Sequence, residues 1–178
     1  MVSPEKKSIN NTLKAFTLLE VLIAMAIVST LSAVILANYT GSRTAKDMEN
    51  NGLEVASALR LAQNYALTGY QYIADTGPCR SYFVWNGSAY VLGYGYKDGS
   101  GNCAQLAFGA PLSLKGGAVF SGNADAIYFS VPHGDLHDLA DARITTHKAI
   151  VFTKDGVSHV VCVYDGGLVR NLPGNTCP

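Results

Sequence analysis

Hydrophobic residues fill positions 16–37 almost without interruption, and Glu20 is the only charged residue among them. As a helix these residues would be about 33 Å long, which is enough to cross a hydrocarbon core of about 30 Å. A carboxylate in the middle of a bilayer costs roughly 2.5–3.5 kcal/mol on insertion scales. The pattern therefore predicts a membrane-spanning helix in which Glu20 has a specific role.

After Tyr39 the apolar residues continue at steps of four and three, which is the spacing of one face of a helix. We expect one long helix, softened at Gly41, where a glycine costs about 1 kcal/mol relative to alanine. Gly69 is placed to end this helix as its C-cap. The predicted buried stripe consists of Met48, Gly52, Val55, Leu59, Ala62 and Ala66.

From Tyr70 onward the periodicity changes to that of strands. The stretch "SYFVWNGSAYVLGYGY" has two aromatic and β-branched runs on either side of Asn86-Gly87, a dipeptide suited to a type I′ hairpin turn. A helix followed by antiparallel strands predicts an α+β fold, with the helix on one face of the sheet. The other predicted features are a turn at 97–102 and strands at 105–108, at 126–131 and in a meander over 148–171.

Composition and charge indicate the size of the folded part and the orientation of the chain across the membrane. The 178 residues are 48% apolar and 15% charged, which fits one modest globular domain with an appendage. Before the hydrophobic run stand Lys6, Lys7 and Lys14 against Glu5, so the positive-inside rule leaves residues 1–15 in the cytoplasm. Beyond residue 38 there are ten Lys and Arg against eleven Asp and Glu, a balance that gives nucleic acid no special reason to bind.

All four cysteines lie on the exported side of the predicted membrane helix and none is in a Cys-x-x-Cys spacing. This favours two disulfides in an oxidising compartment over a metal site, with free thiols as the alternative. Cys162 with Cys177 would tie the last strand to the C-terminal tail, and Cys79 with Cys103 follows by elimination. The second pair raises a difficulty, because a tight meander places these residues on strands that flank a shared neighbour, too far apart to bond. Either the loop at 97–102 folds back or the expected register is wrong.

The stretch "KAFTLLEVLIAM" resembles the processing site of type IV prepilins and type II secretion pseudopilins. The resemblance implies a leader that is cleaved between Ala15 and Phe16, with Ala15 in place of the commoner glycine, and N-methylation of Phe16. Glu20 would then be the fifth residue of the mature chain. Its implied role is assembly, by pairing with the new amine of a neighbouring subunit. Two charges that are costly to bury alone become tolerable as a pair.

Other interpretations of the N-terminus explain less. A secretory signal peptide would need a cleavage site near Ala37, where the residues fit such a site poorly. Glu20 would also interrupt the apolar core of a signal peptide. A lipoprotein signal fails because no cysteine occurs before Cys79. A plain uncleaved anchor leaves Glu20 unexplained.

The resemblance extends further along the chain. "GLEVASALRLAQNYALTG", and more diffusely "YFSVPHGD" and "VVCVYDGGLVRN", are similar to the H-type minor pseudopilins of type II secretion and the FimT-like minor pilins. Major pilins with a single C-terminal disulfide-closed loop remain a second possibility. The implied partners are other pilin or pseudopilin subunits, an inner-membrane assembly platform, prepilin peptidase and, before assembly, membrane lipid.

An alternative function within this family is binding of DNA or another ligand at a pilus tip, for DNA uptake or adhesion. Some FimT-like pilins bind DNA through a Gly-Arg-x-Arg motif, and the corresponding stretch here is "GLVR" at 167–170. Only Arg170 matches as a possible ligand-binding residue. Because phosphate affinity comes from several cations together, nucleic acid is not an expected partner.

Other candidate chemistry is weak. "VPHGDLHDLAD" would bring histidines and aspartates together on a helix as a metal site, but it reads as a loop between strands. We find no nucleophile in a triad or elbow context, and we expect no enzyme activity, no cofactor and no metal. The residues considered as metal ligands are His133, Asp135, His137, Asp138 and Asp141.

The predicted organisation has four parts: a cytoplasmic leader at 1–15, a membrane or filament-core helix at 16–38, its amphipathic continuation at 39–69 and an exported β-rich region at 70–178. The chain is expected to cross the cytoplasmic (inner) membrane once, with its N-terminus inside, and then to enter an extracytoplasmic filament.

Overall fold

A computed structural model of the chain describes residues 17–70 and 77–178. One α-helix, α1 (Leu18–Thr68), precedes ten strands. The chain divides into two units with the boundary between Thr40 and Gly41, and we call the second unit, Gly41–Pro178, the body. The strands are β1 (Pro78–Asn86), β2 (Ala89–Lys97), β3 (Cys103–Phe108), β4 (Leu112–Ser113), β5 (Val119–Phe120), β6 (Asp125–Ser130), β7 (Leu136–Asp138), β8 (His147–Lys154), β9 (Val157–Tyr164) and β10 (Val169–Pro173).

The first unit contains the hydrophobic part of α1. From Leu18 to Leu36 every side chain is exposed, and an 18-residue window of this helix has a mean hydropathy of 2.4. By length and composition the helix can cross a membrane. Its few hydroxyls are satisfied within the helix itself, because Ser29 donates to the Met25 carbonyl at 2.8 Å and Ser32 donates to the Val28 carbonyl at 2.7 Å. Such internal bonding makes hydroxyl groups tolerable in an apolar solvent.

In the body, the strands form two antiparallel sheets. One sheet has the order β3-β2-β1-β6-β7, with β4 paired to β2 beside this path, and the other has the order β10-β9-β8-β5. The α+β prediction, a long N-terminal helix packed on antiparallel strands, is confirmed, although the strands form two sheets where one was expected. A short 3₁₀ turn (Lys115–Gly117) stands between β4 and β5.

The second half of α1 packs through the predicted apolar stripe. Met48, Val55, Leu59, Ala62 and Ala66 are all fully buried and belong to one cluster with side chains from both sheets. The remaining stripe residue is Gly52, where a Cβ would overlap the side chain of Asn171 on β10. Glycine at this position therefore leaves room for the Asn171 side chain between the helix and β10.

Two further glycines were considered in the helix prediction: Gly41 lies within α1 and Gly69 immediately after it. The helix α1 is continuous through Gly41, and softening at this glycine stays a prediction. Gly69 follows the last helical residue with φ 63°, and the Tyr70 N–H donates to the Tyr65 carbonyl at 3.0 Å. This is the Schellman arrangement, and it confirms the predicted C-cap.

The Cys79–Cys103 disulfide joins the two strands that flank β2. Its Cα atoms are 5.9 Å apart, and the β1–β2 register shifts between Pro78 and Arg80. A Cβ on Gly95 of β2 would lie 3.0 Å from the Cys103 Sγ and 3.3 Å from the Cys79 Sγ, so the bridge passes over Gly95. The expectation that flanking strands are too far apart to bond was wrong, because the bulge and the missing side chain bring the two cysteines together.

The second disulfide joins Cys162, which is fully buried on β9, to Cys177 beyond β10, with 5.8 Å between the Cα atoms. The disulfide bonding expected from four exported cysteines is thus present in the body. The whole of β10, an edge strand of the second sheet, lies between Cys162 and Cys177 in the sequence. The disulfide therefore ties the chain beyond β10 back to β9.

Polar side chains of α1 attach the helix to the loop between β4 and β5. Asn51 is fully buried, its Nδ2 donates to the Lys115 carbonyl at 3.0 Å, and its Oδ1 accepts from the Lys115 N–H at 2.8 Å. Glu54 adds an ion pair with the Lys115 Nζ at 2.8 Å and accepts from the Tyr90 hydroxyl at 3.2 Å. Burial and the Glu54 carboxylate raise the pKa of Tyr90, which keeps its hydroxyl protonated as a donor.

Asn51→Ala should destabilise the body, because it removes both hydrogen bonds between the buried Asn51 side chain and the Lys115 backbone. We expect a loss of about 2 kcal/mol in the free energy of unfolding, measured by urea denaturation of the purified chain. Asn50→Ala is the matched control, since Asn50 is exposed, and it should change stability by less than about 0.5 kcal/mol. Equal effects of the two substitutions would contradict the assigned role of Asn51.

His159 on β9 gives the body a pH-dependent stability. It is 7% exposed, and its ring stacks on Phe152 with 5.7 Å between centroids. Burial lowers the pKa of His159 from 6.5, and the neighbouring Asn171 side chain and Glu49 carboxylate offset only part of this effect. The folded state therefore favours the neutral imidazole, and protonation favours the unfolded chain.

The free energy of unfolding should consequently decrease as the pH falls below about 6.5, where the unfolded chain takes up a proton that folded His159 resists. His159→Gln should flatten this part of the profile, measured by urea denaturation between about pH 5 and pH 8. His147→Gln, at an exposed position on β8, is the control and should keep the wild-type slope. An unchanged slope in His159→Gln would rule out His159 as its source.

Candidate functional site at the start of the helix

Thr17 begins α1. The Glu20 N–H lies 3.3 Å from the Thr17 Oγ1 and 3.1 Å from the Thr17 carbonyl, and the Val21 N–H donates to the same carbonyl at 3.3 Å. Thr17 is thus the N-cap, satisfying backbone donors that the first turn would otherwise leave free. This role was not predicted from the sequence, although residues 17–20 have the Thr-x-x-Glu spacing of a capping box.

Glu20 occupies the third helical position, in the first turn. A negative charge there is favoured by the positive end of the helix dipole, typically by 0.3–1 kcal/mol. Within residues 17–70 and 77–178 no ion pair to Glu20 occurs, and its side chain is exposed. Helix capping accounts for an acid at this position in water, but it does not supply the counter-charge that the same acid needs in an apolar environment.

An apolar strip leads away from Glu20 along one side of the helix. Glu20 stands at its start, beside Val21, Ala24, Met25 and Val28. These positions recur at steps of three and four, so a second helix laid along the strip would bury them and the carboxylate together. Ala15 and Phe16, the residues of the predicted cleavage site, lie outside the described residues.

Arg170, the possible ligand-binding residue, is exposed on β10. Its guanidinium carbon lies 5.9 Å from the centroid of the Tyr164 ring, a distance typical of a weak cation–π contact. Leu168, where the DNA-binding motif would have its first arginine, is 52% exposed. Arg170 is therefore accessible but stands without the second cation of that motif.

The segment considered as a metal site folds as part of the first sheet. The region predicted as a solvated loop contains β7, paired to β6, so that part of the prediction was wrong. The His137 ring stacks on Tyr128 with 5.0 Å between centroids, and the Tyr128 hydroxyl donates to Asp141. Asp141 also accepts from Arg80 at 3.0 Å. Of the candidate ligands, the structure brings His137 and Asp141 together, with the His137 Nδ1 at 4.0 Å from an Asp141 carboxylate oxygen.

Asp135 and Asp138, two other candidate ligands in that segment, bind protein groups nearby. Asp135 pairs with Arg143 at 3.0 Å, and the Asp138 Oδ1 accepts from the Ala142 N–H at 2.9 Å. Across the part of the chain that the structure describes, no three His, Cys, Asp or Glu side chains are grouped so as to hold a metal ion.

Comparison with known families points to the same end of the chain. Residues 11–36 match the model of the prokaryotic N-terminal methylation motif, a stretch that includes Ala15, Phe16, Thr17 and Glu20. The match supports the type IV pilin-like class of proteins, made as precursors that prepilin peptidase processes and that assemble with other pilin subunits. It points to a structural subunit rather than an enzyme, and the apolar helix is consistent with membrane anchoring. Neither curated proteins nor solved structures yield a match to the chain.

Proposed function

We propose that this chain is a minor pilin or minor pseudopilin, a structural subunit of a type IV pilus-like or type II secretion filament, assembled through its N-terminal helix. The observation that carries the proposal is the fully exposed apolar stretch Leu18–Leu36 with one carboxylate at its start, inside the matched methylation motif. Exposed apolar surface of this extent needs a lipid or protein partner.

Processing supplies the counter-charge for Glu20. Cleavage between Ala15 and Phe16 removes the leader at 1–15 and leaves a positive amine on Phe16, which is then N-methylated. In a bundle of such helices, the amine of one subunit meets the Glu20 carboxylate of another. Burying either charge alone costs several kcal/mol, whereas the pair with good geometry recovers most of that cost. The pairing therefore favours one axial register between neighbouring helices.

The rest of the chain follows from this arrangement. Residues 16–38 span the cytoplasmic membrane once before assembly and form the filament core afterwards, and residues 39–69 continue as the amphipathic helix. The β-rich region at 70–178 lies outside the membrane, where its two disulfides persist in an oxidising compartment. The partners are other pilin or pseudopilin subunits, prepilin peptidase, an inner-membrane assembly platform and, before assembly, membrane lipid.

Three substitutions separate the charge of Glu20 from the Thr17 cap. Glu20→Gln keeps a polar side chain of similar size but removes the charge, Glu20→Ala removes the polar group as well, and Thr17→Ala removes the cap but keeps the charge. We expect both Glu20 variants to remain in the membrane and to enter filaments at least about tenfold less, since an unpaired buried amine costs several kcal/mol. Thr17→Ala should assemble at close to the wild-type level.

The measurement is the fraction of the chain in sheared filaments against the fraction in membranes, in a host that carries the matching assembly machinery. A role in capping alone would instead reduce assembly in Thr17→Ala and leave Glu20→Gln at the wild-type level. That result would overturn the assignment of Glu20 to subunit pairing.

A further inference from the structure

Arg43 and Lys46 are two exposed cations on α1, close behind the hydrophobic run. Both side chains are exposed, and neither forms an ion pair within the described ranges 17–70 and 77–178. The nearest carboxylates along the helix do not neutralise them. Asp47 is engaged by the Lys154 Nζ at 3.3 Å, and Glu49 makes no ion pair with Lys46. The pair is therefore free to bind an external anion.

Helix geometry places both cations on the same side of α1. Residues three apart are neighbours on a helix surface, so Arg43 and Lys46 project next to each other. Helical side chains also lean toward the N-terminus of their helix, which here is the direction of the hydrophobic run. Long basic side chains extend this reach by letting the charged group lie beyond the Cα position.

The distance along the helix matches the headgroup layer of a membrane. Arg43 follows Ala37, the last residue of the hydrophobic run, by six positions, which is about 9 Å at 1.5 Å per residue. Headgroups add roughly 5–8 Å to each side of the hydrocarbon core. A guanidinium that leans back toward the membrane from Arg43 reaches this layer, and the Lys46 ammonium approaches it from one turn further out.

We propose that Arg43 and Lys46 bind the phosphate groups of phospholipid headgroups at the outer surface of the membrane, and so fix the depth of the unassembled subunit. The inference rests on the proposed function, because it takes the hydrophobic run as membrane-inserted with the body outside. The bound anion is supplied by the bilayer, where phosphate stands at the required depth. Two neighbouring cations favour an anionic lipid over a zwitterionic one, by about fivefold for each cation.

The test uses the full chain in a neutral detergent, titrated with phosphatidylglycerol and, separately, with phosphatidylcholine, with bound lipid counted by native mass spectrometry. Wild type should prefer phosphatidylglycerol, and the double variant Arg43→Gln/Lys46→Gln should lose on the order of twentyfold in affinity for it. The matched control is Lys97→Gln/Arg143→Gln, which removes the same charge from exposed positions in the body and should stay within about twofold of wild type.

Two further experiments test whether the bound anion comes from the bilayer and whether the chain is inserted in the membrane. Replacing chloride by inorganic phosphate at equal ionic strength should leave lipid binding unchanged, and displacement of the lipid would mean a soluble-anion site and overturn the proposal. Wild type reconstituted in vesicles should resist alkaline extraction. Extraction would contradict the membrane anchoring in the proposed function, whereas resistance combined with equal lipid affinity of wild type and the double variant would contradict this inference alone.

Discussion

The central constraint on this protein is the cost of placing one carboxylate in an apolar environment. Glu20 begins a run of exposed hydrophobic side chains that water does not accommodate, and the chain offers the carboxylate no counter-ion within its described residues. Helix capping by Thr17 satisfies the backbone of the first turn but leaves the charge uncompensated. In the proposed filament the same charge becomes a means of selecting the register between helices, because only a paired carboxylate is tolerated there.

The single helix α1 meets two different environments along its length. Its first part is apolar on all sides, which suits lipid or a bundle of helices. Its second part is amphipathic and is attached to the body by a buried apolar stripe and by hydrogen bonds such as those of Asn51 to Lys115. These directional bonds fix how α1 lies on the strands, which hydrophobic burial alone would leave free to slide.

Periodicity in the sequence was enough to predict the long helix, its buried stripe and the strands of the principal hairpins, because each is long enough to show its repeat. The predicted type I′ turn at Asn86-Gly87 was wrong, because Asn86 pairs with Ala89 and the turn lies at Gly87-Ser88. The elements β4, β5 and β7 have only two or three residues, too few for alternation to appear, and so the division into two sheets was not predicted. The bridge from Cys79 to Cys103 depends on a bulge and on Gly95, which are properties of the register and not of the local sequence. At the N-terminus the motif indicated Glu20, but its Thr17 cap was overlooked although the capping-box spacing was visible.

The most direct measurement is zero-length carbodiimide cross-linking of assembled filaments, followed by mass spectrometry, with light and heavy isotope-labelled subunits mixed before assembly. The proposed pairing predicts an amide between the Glu20 carboxylate of one subunit and the amino terminus at Phe16 of another, seen as mixed light–heavy peptides. Links found only within one chain, or an amino terminus that still carries the residues before Phe16 in filaments, would contradict it.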